Sequence, residues 1–412
     1  MFLGFRVVII LAGPVTIRGF MRVRHLSLAH FRNYTRLELD LAPHTTILFG
    51  DNAQGKSNLL EALYFLATTR SFRASSDREL MSWNIANDPI GFSRIAARAE
   101  HARDAFDIEV VLREELRQSD EGRSPTFTKR IKLNDVPRRA IDVIGSVTAV
   151  LFSPQDLELV EGAPVSRRRY LDVTISQADR PYCRGLAHYN RVIVQRNHLL
   201  RAIRDRGAQA DQLQFWDREM VTAGSFVTLQ RLSTVQEIGD VAQRIYRELS
   251  GREEALTIDY KSSLIRDDFV GPPAAEDVAA AFQTRLNDLR TREVALGMSL
   301  VGPHRDDLTF HIDGHDVSAF GSRGQQRTVA LALKLAETEF LRERTNEMPI
   351  LLLDDVLSEL DSTRQERVLN SIGPTQQVLL TTTQARTLEG VLPDDTAWIR
   401  VERGRVETAS PV

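Results

Sequence analysis

The chain has 412 residues, which is enough for two or three domains and a substantial hydrophobic core. Hydrophobic residues make up 42% and charged residues 26%, and the formal net charge of -3 excludes a global basic field that would attract nucleic acid. The single cysteine, Cys183, excludes an intramolecular disulfide and a thiolate metal cluster, and it favours a reducing, cytoplasmic setting. Because the chain has no global basic field, an anionic partner must be bound by a local basic patch.

The first twenty residues contain an apolar stretch, residues 7–12, that is far too short to span a bilayer. This stretch is similar to the apolar part of a signal peptide, but no small-residue cleavage pattern follows it. A well-patterned strand begins at Met21. We therefore predict that Met21 is the biological start, and we assign no function to residues 1–20.

The two ends of the chain have patterns that predict β-strands. Alternating apolar and polar residues are typical of a half-buried strand, and short continuous apolar runs are typical of a buried one. The predicted strands are residues 22–29, 37–41, 45–50, 95–112, 128–133, 149–157 with a break at 153–154, a stretch from residue 308, 350–353 and 377–380.

The middle of the chain has a helical pattern instead. Apolar residues recur about every 3.6 positions from Leu186 to Ile203, and similar stretches continue to Leu296, with a Gly-Pro-Pro break at residues 271–273. A further helix is predicted from residue 325 to about residue 344. The prediction is an α/β head interrupted by a helical arm, divided into an extension (1–20), a first head part (21–156), the arm (157–298) and a second head part (299–412).

The stretch "FGDNAQGKSN" has the spacing G-x-x-x-x-G-K-S, and it follows a predicted strand and opens a predicted helix. Backbone N–H groups of such a loop wrap phosphates, and the helix N-terminus adds its partial positive charge. Lys56 would neutralise the β- and γ-phosphates of ATP, and the Ser57 hydroxyl would bind Mg²⁺. The predicted nucleotide-binding residues of the loop are Gly50, Asp51, Asn52, Ala53, Gln54, Gly55, Lys56, Ser57 and Asn58.

A second constellation is "PILLLDDVLSELD", in which four apolar residues predict a strand that is buried on both faces. Asp354 stands at the carboxyl end of this strand, where such sheets bind their ligands. We predict that Asp354 holds Mg²⁺ through water beside Ser57, and that Asp355 polarises the attacking water as a catalytic residue. The two halves of the nucleotide site thus flank the helical arm in sequence.

A third constellation is "FGSRGQQR", in which Ser322 and Gly324 lie at the start of a long predicted helix and form a second anion site. With Gln325 they resemble the S-x-G-Q signature of ATP-binding-cassette ATPases. In that family the signature of one subunit completes the γ-phosphate site of another, which implies a head-to-head, ATP-dependent homodimer. Here Ser322, Gly324 and Gln325 are predicted to contact the nucleotide.

Further positions match the same family. Residues 358–361 follow the carboxylates as its D-loop does, and Gln155 suits the catalytic glutamine that senses Mg²⁺ and water. Thr382 or Thr383 stands at the switch position, where transporters usually carry histidine, and Asp355 replaces their usual glutamate. Thr382 is included among the predicted nucleotide-binding residues. These departures argue against fast hydrolysis and favour a weak ATPase that acts as a switch; that this ATPase is DNA-dependent is implied only by the resemblance described next.

Within this superfamily the chain resembles the RecF family from residue 21 to its end. The family is related to SMC heads but lacks their long coiled coil. It implies ATP-dependent binding to gapped or junction DNA, partnership with RecR and RecO in loading RecA, and a contribution to the SOS response. The stretches that carry the resemblance are "LSLAHFRNY", "GDNAQGKSNLLEAL", "SPQDLELVEGAPVSRRRYLD", "GPHRDDL" and "SRGQQR".

Local arginines are the candidates for DNA contact, since no base-reading module is recognisable. The DNA-binding prediction names Arg70, Arg73, Arg138 and Arg139. The run at residues 167–169 is a further candidate, although these arginines could instead pair with acidic groups such as Asp172 or Glu161. Residues 304–307, His-Arg-Asp-Asp, are expected to have a structural role rather than a catalytic one.

Two other functions remain open from the sequence. The first is the nucleotide-binding subunit of a transporter, which the helical arm and the missing switch histidine argue against. The second is a scaffold like the SMC proteins that binds ATP without appreciable turnover.

Overall fold

The structure is a computed structural model, and the predicted extension falls almost entirely outside the residues that it describes. The break at residues 271–273 lies outside them too, except for Pro273. The described residues are 19–82, 91–102, 104–119, 122–265, 273–360, 362–370, 372–373, 376–388 and 392–409.

Strands dominate the first and last parts of the described chain. In chain order they are β1 (Gly19–Phe31), β2 (Tyr34–Asp40), β3 (Thr45–Phe49), β4 (Phe92–His101), β5 (Ala105–Ser119), β6 (Gly122–Leu133), β7 (Val136–Arg138), β8 (Ala149–Phe152), β9 (Leu256–Lys261), β10 (Asp307–Ile312), β11 (His315–Asp316), β12 (Glu347–Met348), β13 (Ile350–Asp354), β14 (Val378–Thr382), β15 (Ala397–Glu402) and β16 (Arg405–Thr408).

Helices dominate the middle of the described chain. They are α1 (Lys56–Thr68), α2 (Ala140–Val143), α3 (Glu158–Glu161), α4 (Pro164–Ala178), α5 (Arg180–Arg206), α6 (Leu213–Ser250), α7 (Ala275–Leu296), α8 (Val317–Phe320), α9 (Arg323–Thr345) and α10 (Ser362–Asn370). None of them is both long and apolar enough to cross a membrane.

A six-stranded sheet in the order β16-β15-β3-β14-β13-β8 forms the centre of the head, and its strands are parallel except for β16. The two predicted apolar runs at 45–50 and 350–353 are neighbours of β14 in this sheet. Successive residues face opposite cores: Ile47 packs in one hydrophobic cluster and Leu48 in the other. This double burial explains why the strands read as continuous apolar runs rather than alternating ones.

A second, largely antiparallel sheet follows the order β12-β1-β4-β5-β6-β7, with β2 paired to β1. The prediction of one strand at residues 95–112 is wrong in one respect. This stretch belongs to two strands, β4 and β5, which pair antiparallel. The turn between them is closed by the N–H of His101, which donates to the carbonyl oxygen of Asp104 at 2.8 Å. The alternation of apolar and polar residues does not reveal such a turn, because the same alternation continues in the strands before and after it.

The long helices α5, α6 and α7 pack on one another, and α6 also packs along α9. A buried charge network ties the three together. Arg196 is fully buried and donates to Asp217 at 2.9 Å, to the Ser299 hydroxyl at 2.8 Å and to Glu293 at 2.6 Å. Arg290 donates to the second Asp217 oxygen at 2.5 Å. Among the described helices α6 is the longest, at 38 residues, and no long coiled coil is present in this part of the chain.

The strand β9 lies inside the predicted arm, and it pairs antiparallel with β10, which lies beyond residue 298. Arm and head therefore share a three-stranded sheet, completed by β11. The division of the chain at residues 156 and 298 stays a prediction.

Candidate nucleotide site

The loop between β3 and α1 requires glycine at both ends. Gly50 has φ 148° and Gly55 has φ 118°, values that L-residues with a Cβ rarely adopt. A Cβ atom at Gly50 would lie 2.4 Å from the carbonyl oxygen of Val401, and one at Gly55 would lie 2.6 Å from Asn33 Nδ2. Since α1 begins at Lys56, the amides of Lys56 and Ser57 have no acceptor within the helix, whereas the N–H of Asn58 donates to the carbonyl oxygen of Gly55 at 3.0 Å.

Lys56 lies over this loop. Its Nζ donates to the carbonyl oxygens of Gly50 and Asp51, both at 2.7 Å, and the residue is buried. Burial lowers the pKa of Lys56, while the charges of Asp355, Asp354 and Asp51 oppose that shift. A partly desolvated ammonium group held above a glycine loop fits an anionic ligand, because a phosphate would restore the solvation that the lysine lacks.

A polar brace holds the outer side of the loop. Asn33 Nδ2 donates to the carbonyl oxygen of Gln54 at 2.8 Å, and Asn58 Nδ2 donates to Asn33 Oδ1 at 2.7 Å. The Tyr34 hydroxyl donates to the carbonyl oxygen of Gly55 at 3.1 Å. The side-chain amide of Asn58 belongs to this brace, and its predicted contact with nucleotide stays a prediction.

The turn between the last two strands, β15 and β16, contacts the same loop. The backbone N–H of Arg403 donates to Gln54 Oε1 at 2.8 Å, and that of Gly404 donates to the Gln54 carbonyl oxygen at 3.0 Å. The sequence analysis missed Arg403 and Gly404, since the only signal there is a short turn. The predicted loop residues Asp51, Asn52 and Ala53 are exposed, and Ser57 is half-buried.

Asp354 ends β13 and is buried, as predicted from the apolar run before it. The Thr381 hydroxyl donates to Asp354 Oδ1 at 3.0 Å and accepts the backbone N–H of Asp355 at 2.9 Å. The predicted switch residue Thr382 pairs with Phe49, and its hydroxyl accepts the N–H of Gln384 at 3.0 Å; its nucleotide contact stays a prediction. Thr381 was missed because only the strand register places it beside Asp354.

Asp355 has a left-handed backbone, with φ 54°, directly after the strand. Its Oδ1 atom is buried and has no hydrogen-bond partner among the described residues. A buried carboxylate oxygen without a donor fits a bound water or a hydrated cation. The described residues contain no group of three or more His, Cys, Asp or Glu side chains that could hold a metal by themselves. Magnesium would therefore rely on Ser57, Asp354, water and the phosphates of a nucleotide.

The signature serine lies at the N-terminus of α9. The Ser322 hydroxyl accepts the N–H of Gln325 at 3.2 Å, and Gln325 Oε1 accepts the N–H of Ser322 at 3.0 Å. Gly324 is exposed, and nearby Phe320 leaves 78% of its surface exposed. Among the described residues, no hydrogen bond or ion pair joins this helix start to the loop at 50–58. A nucleotide site shared between these two elements stays a prediction.

Gln155 lies on an exposed turn, Pro154–Leu157, that follows β8. No hydrogen bond joins Gln155 to Asp354 or Asp355 in the described part of the chain. Beside it, burial raises the pKa of Asp156 to about 6, and the backbone N–H of Ser153 donates to Asp156 Oδ2 at 2.7 Å. The catalytic role of Gln155 stays a prediction.

The predicted DNA-contacting arginines have different surroundings. Arg70 is exposed just after α1 and Arg138 is exposed on β7. Arg139 donates to Asp142 at 2.8 Å, and Arg184, which the sequence analysis did not single out, donates to the same carboxylate at 3.3 Å. The charges of Arg70, Arg184 and Asp142 all act on the pKa of Cys183, which burial raises. The structure thus brings Arg139 and Arg184 together on one carboxylate.

Arg73 is only partly available for contact with DNA. It donates to Asn58 Oδ1 at 2.8 Å and to Glu61 Oε2 at 3.1 Å. Glu61 is fully buried, and Arg32 binds it through two hydrogen bonds of 2.8 Å. Burial alone would raise the pKa of Glu61, but the hydrogen bonds from Arg32 and Ser71 and the charge of Arg73 lower it. Arg73 therefore neutralises a buried carboxylate behind the phosphate loop.

The run at residues 167–169 is structural. Arg167 is buried and binds both carboxylate oxygens of Asp307, at 2.7 and 2.8 Å. Arg168 donates to the carbonyl oxygen of Asp306 at 2.7 Å, and Arg169 donates to that of Ser71. The proposed pairing with Asp172 or Glu161 is wrong in its partners, since those carboxylates bind Arg231 and Arg323.

The stretch 304–307 packs the head against the arm, which supports its expected structural role. The Tyr189 hydroxyl donates to His304 Nδ1 at 2.7 Å, and His304 Nε2 donates to the carbonyl oxygen of Ser299 at 3.2 Å. Asp306 is buried and accepts the Tyr260 hydroxyl at 2.6 Å and the N–H of Ser263 at 2.7 Å. Burial lowers the pKa of His304 to about 4 and raises that of Asp306.

Because the folded chain keeps His304 neutral, we expect acid to destabilise it. As the pH falls below about 6.5 the unfolded chain protonates this histidine, whereas the folded chain does so only near about 4, so up to about 1.4 kcal/mol of stability is lost per pH unit. His304→Gln can still accept from Tyr189 and does not titrate. Urea denaturation from about pH 6.5 to 4.5 should therefore show a smaller loss in this variant than in the wild type. The control is His188→Gln, at a half-buried histidine paired with Glu219. If the free energy of unfolding falls equally with pH in wild type and in His304→Gln, the folded chain does not keep His304 neutral.

The parallel sheet, the glycine loop with its lysine, and the aspartate pair after β13 define a P-loop ATPase head of the ATP-binding-cassette type. The family model described as "RecF/RecN/SMC N terminal domain" matches residues 22–407. A RecF from Chloroflexus aurantiacus, named "DNA replication and repair protein RecF", is 44% identical over 94% of this chain and 99% of its own length. The RecF of Herpetosiphon aurantiacus is 46% identical over 88% of this chain and 93% of its own length. The chain therefore belongs to the RecF family.

Solved structures agree with this assignment. One described as "the recombination mediator protein RecF-ATP in RecFOR pathway" is 30% identical, with a TM-score of 0.83 over 95% of this chain and 98% of its own. An Smc head domain from Pyrococcus furiosus is only 15% identical, with a TM-score of 0.50 over 95% of this chain and 96% of its own, and it shows the fold alone.

Proposed function

We propose that this chain is an ATP-switched DNA-binding protein of gap repair and recombination. Binding of ATP and Mg²⁺ closes two heads on each other around DNA, and slow hydrolysis releases them. The observation that carries the proposal is the divided site. The charges of Asp354 and Asp355 act on Lys56 over the glycine loop, whereas Ser322 and Gly324 are exposed at the start of α9, and no hydrogen bond or ion pair among the described residues joins them to that loop. A second copy, related by a two-fold axis, would supply the missing donors.

The second part of the proposal is that the chain hydrolyses ATP slowly. Asp355 carries a shorter side chain than the glutamate usual in transporters, and Thr382 or Thr383 stands where transporters usually carry a histidine. Both features leave the site able to bind ATP and Mg²⁺ while weakening the activation of water. A related RecF has been solved as an ATP complex, which supports ATP as the nucleotide here.

Partner proteins are part of the same proposal. The names of the relatives place them in DNA replication and repair, and the solved RecF is described as belonging to the RecFOR pathway. By this relationship we propose that RecO and RecR act with the chain in loading RecA on gapped DNA, and that the chain contributes to the SOS response. A cytoplasmic location goes with these partners.

The experiment that tests the proposal is a mass measurement by light scattering, with and without ATP, in the presence of gapped DNA. We expect a particle of twice the 46.5 kDa chain mass, bound to DNA, only when ATP is present. A monomer under every condition would reject the clamp. Dimers that form and persist with no measurable phosphate release would favour the non-hydrolysing scaffold.

Arg70 offers the sharpest test of the DNA surface, because its charge is exposed whereas that of Arg73 is tied to Glu61. Arg70→Glu should weaken ATP-dependent DNA binding about 3- to 10-fold and should reduce the slope of log K against log salt by about one. Fluorescence anisotropy with gapped DNA over a salt series measures both quantities. Arg285→Glu, at an exposed arginine of α7, is the matched control. Identical salt slopes for Arg70→Glu and Arg285→Glu would remove Arg70 from the interface.

A further inference from the structure

A groove of about 570 Å³ lies between α6, α9 and α10, near the amino-terminal end of β13. This end of the parallel sheet is opposite to the end that carries the phosphate loop. Apolar side chains form the floor of the groove. They include Leu249, Leu335, Met348, Leu351 and Ile372.

Arginines at the rim keep unused hydrogen-bond donors. Arg342 Nε and Arg367 Nη1 are buried, and neither has an acceptor among the described residues. The Nη2 atom of Arg342 lies 3.6 Å from a carboxylate oxygen of Glu339 and 3.5 Å from one of Glu343. Arg244 binds Glu339 as well, at 2.9 Å. A buried N–H without an acceptor costs about 1–3 kcal/mol, so a movement of these side chains that turns the N–H groups toward an incoming acceptor would be favourable.

We propose that this groove binds a short peptide segment of a partner protein. Two or three of its apolar side chains would cover the floor, and a carboxylate would accept from Arg342 and Arg367. The volume is within the range of ligand pockets and suits a few side chains rather than a whole domain surface. Charge complementarity selects the carboxylate, because Arg244, Arg342 and Arg367 line the groove together with only two glutamates, and hydrogen bonds between guanidinium and carboxylate groups are strengthened by their charges.

Nucleic acid fits the same groove poorly. Apart from Thr338 and Asn370 the uncharged lining is apolar and offers few hydrogen bonds to bases, and the carboxylates of Glu248 and Glu339 at the rim repel a run of phosphates. The groove also lies away from Lys56 and Ser322, so its ligand does not depend on the clamp proposed above. The failure of either proposal would leave the other intact.

The test begins with a phage-displayed library of 12-residue peptides selected on the full-length protein. We expect enriched sequences with two or three apolar residues and an aspartate, glutamate or free C-terminus within about four positions. Their affinity is then measured by fluorescence polarisation. Thr338 lines the groove, and Thr338→Trp should fill it and weaken binding at least tenfold. Thr222→Trp is the matched control, since both threonine hydroxyls donate to the carbonyl oxygen four residues earlier, at 3.1 Å for Thr338 and 2.9 Å for Thr222.

Charge reversal supplies the second arm. Arg367→Glu should weaken the carboxylate-bearing peptides at least tenfold, whereas Arg285→Glu should not. Both tryptophan variants should keep the ATP affinity and ATP-dependent dimer of the wild type, which shows that they fold. Peptides that bind Thr338→Trp and Arg367→Glu as well as wild type, or a selection that enriches no acidic apolar sequence, would overturn the proposal. Loss of the ATP-dependent dimer in Thr338→Trp alone would show that the groove meets a second copy and would overturn it as well.

Discussion

Lys56→Met is expected to weaken ATP binding by about 100-fold and to abolish the ATP-dependent dimer. The ammonium group is the buried cation over the glycine loop, and losing a charge-assisted contact to phosphate in such a site removes about 3 kcal/mol. Equilibrium dialysis or titration of a fluorescent ATP analogue measures the affinity, and light scattering measures the dimer.

Lys132→Met serves as the control for this change, because Lys132 is a partly exposed lysine paired with Glu109 at 3.6 Å on the antiparallel sheet. It removes the same charge from the chain and should leave ATP affinity unaltered. The arginine variant Lys56→Arg asks whether charge alone suffices; the structure predicts that it does not, since the broader guanidinium cannot sit between the carbonyl oxygens of Gly50 and Asp51. ATP affinity within threefold of wild type in Lys56→Met would refute the assignment of the loop.

Ser322→Arg is expected to leave ATP binding by the single chain intact and to weaken ATP-dependent dimerisation at least 100-fold. The bulky cation would occupy the helix start that faces the nucleotide of the second copy, while the loop at 50–58 lies elsewhere in its own copy. The variant thus separates nucleotide binding from closure, which Lys56→Met does not.

Mixing the two variants makes this test sharper. A heterodimer of Ser322→Arg with Lys56→Met contains one intact shared site, built from the loop of the first chain and the signature of the second. Cross-linking of differently tagged chains should detect this heterodimer with ATP, although neither variant dimerises alone. If Ser322→Arg binds ATP and dimerises like the wild type, the site is complete in one chain and the clamp mechanism is wrong.

The phosphate loop and the strand before Asp354 could be predicted because their signals are local. The spacing of Gly50, Gly55 and Lys56 and an uninterrupted apolar run depend on neighbours in sequence, and they identify both elements without any knowledge of packing. The α/β class and the helical middle follow from the same kind of periodicity.

The remaining errors concern distant pairs. Thr381 contacts Asp354 only because β13 and β14 pair in one particular register, and shifting the choice to Thr382 moves the side chain to the opposite face of the sheet. The partners of Arg73 and Arg167 are likewise remote in sequence. In a chain so rich in arginine, with only five lysines among 53 basic residues, a run of positive charge does not distinguish a buried ion pair from a DNA contact.

The place of β3 in the central sheet has a consequence for the synthesis of the protein. This strand, which delivers the phosphate loop, lies between β14 and β15, and the loop is braced by Arg403 and Gly404. The ribosome makes the loop more than 300 residues before it makes β14, β15 and the turn at residues 403–404. We therefore expect a nascent chain that has not yet reached these residues to carry the loop sequence without the neighbours that hold it in place. The synthesis of residues 378–404, rather than that of the loop, is then the step that completes the nucleotide site.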